Sequence, residues 1–228
     1  MPAEHTVKSY DQELNGLSRK IIEMGGLVEQ QLAGAIDALA NRNIELAARV
    51  IEQDDRVDDL EEGIDTAAIR LFATRQPMAV DLRLIAMAMK VSNDLERIGD
   101  YAVNIAKAAA RLAKMPPLKP LYTIPRMAQI AQEMVKGVLD AYVERDTQKV
   151  MAVWHRDDEV DEMYNSLFRE LVTYMIEDPR NISTCIDLLF VAKHLERIGD
   201  HTTNIAEKIH YIIHGERINR MPASVSKA

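Results

Sequence analysis

The feature that most constrains this chain is an internal repeat. Residues 95–106 read LERIGDYAVNIA and residues 195–206 read LERIGDHTTNIA, with nine of the twelve positions identical at a spacing of 100. Two further landmarks keep nearly that spacing. Asp54-Asp55-Arg56-Val57-Asp58 pairs with Asp157-Asp158-Glu159-Val160-Asp161 at an offset of 103, and Pro77 pairs with Pro179 at 102. Similar offsets at three landmarks imply two copies of one unit with small insertions between them. The 228 residues suit one large domain or two modest ones, each able to close a core.

Each copy reads as three helices. Leu14, Leu17, Ile21, Met24, Val28, Leu32, Ile36 and Leu39 recur in steps of three and four, the mark of one helical face over Tyr10 to Ala40. Gly25-Gly26 falls inside this helix at a cost of roughly 1 kcal/mol per glycine, which points to a kink or a close helix contact. Asn41-Arg42-Asn43 is the turn. A second helix is expected from Ile44 to Thr74. Pro77 can then occupy the first turn of a third, Met78 to Ala113. The second copy repeats this over Ile124 to Glu144, Thr147 to Ile176 and Arg180 to His214, with Asp178 as N-cap before Pro179. Prolines 116, 117 and 120 break the chain between copies, because proline lacks a donor and clashes inside a helix. The expected architecture is therefore all-α: two tandem three-helix bundles related by pseudo-two-fold symmetry, over residues 1–115 and 125–228. A proline-rich linker spans 116–124, and the tail from Arg217 frays.

Composition narrows the function. A net charge of −8 without a basic cluster excludes nucleic acid as the natural partner and argues against anionic lipid. One cysteine, Cys185, forbids an internal disulfide. No apolar run reaches the length of a membrane span and no signal peptide is visible, so direct membrane insertion is not expected and the expected location is cytoplasmic. Neither a glycine-rich phosphate loop nor a nucleophile elbow occurs, and no convincing Ser/His/Asp set is present.

What remains is oxygen chemistry. On a helical wheel Leu95, Ile98, Ala102 and Ile105 face the core, while Glu96, Asp100 and Asn104 form an i, i+4, i+8 ladder on the opposite, outer side. Glu196, Asp200 and Asn204 repeat it. Like charges four apart repel by about 0.2–0.5 kcal/mol, and keeping that repulsion in both copies suggests a cation that relieves it. Asp54 and Asp58, and likewise Asp157 and Asp161, stand four apart on the middle helices and converge on the ladders if middle and third helices are antiparallel neighbours. Hard oxygen donors suit Mg²⁺, Mn²⁺, Ca²⁺ or iron rather than a closed Cys/His zinc site. The plainer alternative is a solvated acidic face.

The remaining polar residues read as structural. Arg97 and Arg197 could contact phosphate groups or a partner, but pairing with Asp94, Asp100 or Asp200 along their own helices is the expectation. Gly99 and Gly199 are expected to mark close packing, or room for a ligand. His210 and His214 stand four apart and could bind a metal, but a surface role is the expectation; His194 and His201 share one side of their helix and lack counterparts in the first copy. Glu207-x-x-His210 has Lys107 and Ala110 opposite it, which disfavours a buried di-iron site. Met78, Met87 and Met89 are read as core filler.

The stretch Glu23-Met24-Gly25-Gly26-Leu27-Val28-Glu29, the segment Arg75 to Arg83 (RQPMAVDLR), and both LERIGD…NIA motifs resemble the PhoU family across essentially the whole chain. The resemblance implies a cytoplasmic, usually dimeric regulator of the phosphate regulon. It would couple the transporter ATPase PstB to the sensor histidine kinase PhoR and hold signalling off when phosphate is plentiful. It further implies bound divalent or trivalent metal ions (Mg, Mn, Fe or Zn) at Glu96, Asp100, Glu196 and Asp200, with Asp54, Asp58, Asp157 and Asp161 as second pairs, and Asn104 and Asn204 as further members of the repeated stretch. The competing reading is a metal-dependent hydrolase or a metal-storage bundle.

Overall fold

Seven α-helices and one 3₁₀ turn build the chain in the computed structural model, which describes residues 8–118 and 123–218. The first bundle comprises α1 (Lys8–Ala40), α2 (Ile44–Glu52), α3 (Asp55–Arg75) and α4 (Ala79–Leu112). The second comprises α5 (Thr123–Glu144), α6 (Thr147–Glu177), the 3₁₀ turn Pro179–Asn181 and α7 (Ile182–His214). No strand occurs among the described residues.

The apolar stripe of α1 is buried as its spacing predicts: Leu17, Ile21, Met24, Val28 and Leu32 have essentially no exposure. Leu95, Ile98, Ala102 and Ile105 of α4 are buried too, and one continuous core runs through both bundles. Removing one such side chain, as in Ile98→Ala, costs about 2–5 kcal/mol through lost transfer energy plus a cavity. The turns repeat as faithfully as the core. Arg42 and Arg145 take positive φ of 52° and 54°, and the next residues, Asn43 and Asp146, cap α2 and α6 with their side chains. Arg42 also donates to the carbonyls of Leu112 and Met115, satisfying the end of α4.

The bundles meet along α4 and α7, with α1 also touching α5. The side chains between α4 and α7 display the two-fold relation. His201 Nδ1 lies 2.9 Å from Asp94 Oδ1, and the ring of His194 stacks on Tyr101 at 5.6 Å. A shift of 100 positions exchanges these two pairs, so α4 and α7 cross antiparallel about a pseudo-dyad. Gly25 makes the α1–α5 approach possible, since a Cβ there would sit 2.3 Å from Leu139 Cδ2; α1 itself is unbroken.

Five expectations change. The middle helix of the first copy is split at Gln53-Asp54, where the Asp54 side chain turns to Gln31 instead of capping its own helix. Pro77 stands ahead of α4 rather than in its first turn, behind Gln76 in the left-handed region. Arg180 lies in the 3₁₀ turn that Asp178 caps, and α7 starts at Ile182. Met87 and Met89 pack on the core, but Met78 is 79% exposed because it precedes the helix. α5 starts at Thr123, inside the stretch expected as linker. Of the tail, residues 219–228 lie outside the described residues.

The copies differ in reach. α5 begins where Lys20 falls in α1, so residues 8–19 of α1 have no described counterpart. In the first bundle that extension is tied down by Arg75 on Glu13 at 2.6 Å.

Candidate functional site

Both copies of the repeated motif bring their carboxylates against those of the middle helix, along the groove between the two, and the motif's buried glycine lets a polar group of a neighbouring helix pack close. A Cβ on Gly199 would stand 2.6 Å from Asp157 Oδ1, and one on Gly99 would stand 3.0 Å from Gln31 Oε1. Glycine is costly inside a helix, and here it lets the facing polar group come against the α7 or α4 backbone.

The middle-helix and third-helix carboxylates do converge. In the first groove Asp54 feels Asp58 and Asp100, Asp58 feels Asp100, and Glu96 feels Asp100, Glu61 and Asp58. In the second, Asp157 feels Asp200, Asp161 and Glu196, and Asp161 feels Glu196 and Asp200. The glutamates are not on an open outer face, however. The side chains of Glu96 and Glu196 are only 16% and 14% exposed. The wheel placed them away from the α4 and α7 core stripes correctly, but that side faces α3 or α6. Asn104 is half-buried and Asn204 exposed, and neither is tied to the carboxylates.

Burial and crowding shift these acids in one direction. Glu96 is pushed up to about 7, first by desolvation and then by Asp100. Asp157 is also pushed up to about 7, by desolvation and then by Asp200 and Asp161. Burial likewise raises Asp54, Asp58, Asp161 and Asp200, and for Asp54 the hydrogen bond from Gln31 opposes the rise. Anions held together in partial burial gain from a cation.

The donor set fits a hard cation. Asp157 Oδ1, Glu196 Oε2, Glu96 Oε2 and Gln31 Oε1 are buried and accept no hydrogen bond, and Gln31 as a whole is 2% exposed. Buried polar atoms normally have partners; Asp157 Oδ1 and Glu196 Oε2 in the second copy have none, whereas Arg97 Nε stands 3.3 Å from Glu96 Oε2 in the first. Among the described residues no three His, Cys, Asp or Glu side chains close around a single point; the carboxylates line a groove.

Several participants were not picked out from sequence. Gln31, a polar residue on the apolar stripe of α1, donates from Nε2 to Asp54 Oδ1 at 3.3 Å. A polar residue interrupting a buried face is the signal that could have revealed it. Glu61 adjoins Glu96 and accepts from Asn93. Lys193 Nζ lies 2.6 Å from Glu196 Oε1. Arg97 behaves as expected, with Nη1 3.1 Å from Asp100 Oδ2 and Nε 3.3 Å from Glu96 Oε2. Arg197 does not: its guanidinium lies 5.6 Å over the Tyr101 ring, because α4 offers an aromatic face there. The histidines read as structural. His194 stacks on Tyr101, His201 lies tilted against the same ring, His214 meets Thr147 Oγ1 at 2.9 Å, and His210 meets the Glu216 carbonyl at 3.0 Å.

The fold and grooves define a class: tandem three-helix bundles with one acid-lined groove per copy. The PhoU domain family matches at residues 21–109 and 124–209, one match per bundle. The chain belongs to the PhoU family. It is 52% identical over 216 residues to the phosphate-specific transport system accessory protein PhoU homolog of Caulobacter vibrioides, covering 94% of each chain. The corresponding homolog of Zymomonas mobilis is 49% identical, over 94% of this chain and 90% of that one. The crystal structure of PhoU from Pseudomonas aeruginosa superposes with a TM-score of 0.88 at 40% identity, covering 91% of this chain and all of the other. That of the phosphate transport system regulatory protein PhoU from Streptococcus pneumoniae gives 0.85 at 28% identity, covering 92% and 99%. These relatives carry the names of accessory and regulatory proteins, not of enzymes. No helix among the described residues is long and apolar enough to cross a membrane.

Proposed function

We propose that this chain is the cytoplasmic accessory protein of a phosphate-specific transport system. It acts as a non-enzymatic adaptor that reports transporter state to a sensor histidine kinase and holds the phosphate regulon off when phosphate is plentiful. The observation that carries this reading is family membership along both bundles, with relatives named for that system matching nearly end to end. Its partners on this reading are the transporter ATPase PstB and the kinase PhoR, and it works as a homodimer.

The grooves belong to the same proposal as its metal centres. Asp54, Asp58, Glu96 and Asp100 would hold a divalent or trivalent cation in the first bundle, and Asp157, Asp161, Glu196 and Asp200 in the second. When bound, that cation supplies positive charge that offsets the carboxylate repulsion and ties the middle helix to the third. The chain's own part is to hold the carboxylates in partial burial, with the glycines of the motif letting Gln31 and Asp157 pack close to the third helices. Each groove runs along the side of a bundle, within reach of a partner.

The test is genetic and biochemical together. In a strain lacking this protein, alkaline phosphatase should be made even in high phosphate, and the intact chain should restore repression. Normal repression in the deletion strain overturns the regulatory reading. Purified protein should retain PstB and PhoR in pull-downs, more strongly with Mn²⁺ than with a chelator; retention of neither overturns the adaptor reading.

A further inference from the structure

The two grooves carry the same repeated acids but not the same neighbours. Gln31 and Met134 occupy equivalent places: they are 103 positions apart, and each faces the glycine of its own motif. Gln31 Oε1 is 3.0 Å from the Cβ position of Gly99, and Met134 Cε is 3.8 Å from that of Gly199. Gln31 gives Asp54 a hydrogen bond, whereas the thioether of Met134 has none to give, and Asp157 Oδ1 is left buried and unpartnered.

The arginines of the motif deepen the difference. Arg97 lies across Glu96 and Asp100, so both acids of the first ladder already face a positive charge. Arg197 has turned to the Tyr101 ring. That leaves Lys193 on one oxygen of Glu196, with Oε2 of the same carboxylate unpartnered. The cause lies at the pseudo-dyad. The position that would offer Arg97 an aromatic ring is His201, which is engaged with Asp94.

We propose that the grooves are unequal cation sites, the second the tighter, and that Gln31 opposite Met134 is a positioning residue that sets the difference. This rests on the reading of the grooves as metal centres. A cation entering the first groove displaces an amide donor from Asp54 and a guanidinium from Glu96 and Asp100. One entering the second displaces only Lys193 from Glu196, and Asp157 Oδ1 has no donor to lose. Exchanging the residues should therefore move cation affinity and metal-free stability in opposite directions, which a packing role alone does not do.

The experiment is calorimetric titration of the full-length chain with Mn²⁺ alone, beside thermal unfolding of the metal-free protein. Asp200→Asn isolates the first groove and Asp100→Asn the second. In those backgrounds, Gln31→Met should tighten the first groove roughly tenfold and lower the metal-free Tm. Met134→Gln should weaken the second roughly tenfold and raise it, that being what one hydrogen bond to a charged group contributes. Met134→Leu, which supplies no donor, should leave affinity where it was, and it keeps the test open if a polar replacement fails to fold. Equal affinities in the wild-type chain overturn this inference and leave the metal reading standing. So does weakening by Gln31→Met, which would make the amide oxygen a ligand. Wild-type protein that takes up no Mn²⁺ overturns both.

Discussion

Around Asp54 and Asp100 the first bundle brings an amide from α1 and a guanidinium from α4, and its middle helix is interrupted at Asp54. Around Asp157 and Asp200 the second bundle keeps α6 continuous, packs a thioether behind the acid and leaves two carboxylate oxygens alone. The motif is the same in both. Divergence has taken place one layer out, on α1 against α5 and along the α4–α7 seam. A duplicated site can thus acquire two different strengths while its acidic residues stay identical, because the energy of a buried carboxylate depends on what hydrogen-bonds to it.

The largest expected effect tests the seam. Asp94, 8% exposed at its side chain, accepts from His201 and Lys208, so Asp94→Ala strands two partly buried donors, one of them the Lys208 ammonium. It should cost about 3 kcal/mol in urea unfolding, as for other broken buried pairs. His194→Ala, at the equivalent place in the second copy, should cost less, about 1 kcal/mol from a lost ring stack. Equal costs would mean that the seam is symmetric in energy despite its different residues.

The glycines give the next contrast. Gly→Ala inside a helix gains up to about 1 kcal/mol from backbone entropy. At Gly199 the new methyl meets Asp157 Oδ1 at 2.6 Å, and at Gly99 it meets Gln31 Oε1 at 3.0 Å. Gly199→Ala should therefore be net destabilising by about 1 kcal/mol, and Gly99→Ala close to neutral. Mn²⁺ affinity should fall only for the former, and calorimetry reads both.

Acid–base behaviour supplies a third check. Glu96 and Asp157 titrate near 7 in the folded chain, against about 4 when unfolded. The folded state therefore holds more protons between those values, and metal-free stability should decline as pH rises from about 4 to about 7. Met134→Gln should flatten that decline, since a donor beside Asp157 favours its anion. A metal-free Tm that rises steadily through this window contradicts the assignment.

The smallest effect concerns the extension of α1. Arg75→Ala frees Glu13 from a partly exposed pair and should cost about 0.5 kcal/mol, with Mn²⁺ affinity unchanged in both grooves.

Much of this was legible in the chain itself. Periodicity located the helices within a few residues, because burial of one face dictates steps of three and four. The offset repeat revealed the duplication, and the four-residue spacing of Asp54 and Asp58 with Glu96 and Asp100 placed the acids on facing helices. The split of the middle helix was not visible, since no proline or glycine marks it; nor was the hydrogen bond that Asp54 accepts there from Gln31 on another helix. The outward assignment of Glu96 and Glu196 erred for a related reason. A wheel knows one helix, and the side away from its own core stripe is here covered by α3 or α6.

The sequence alone, then, determined that there are two copies, that they are helical, and which acids recur. Those facts follow from local spacing, which each helix imposes on itself. Only the tertiary structure decided that Gln31 faces one motif and Met134 the other, and that Arg197 turns to Tyr101. Such partnerships join residues 65 to 96 positions apart in the chain. They depend on how helices cross, which no local pattern records.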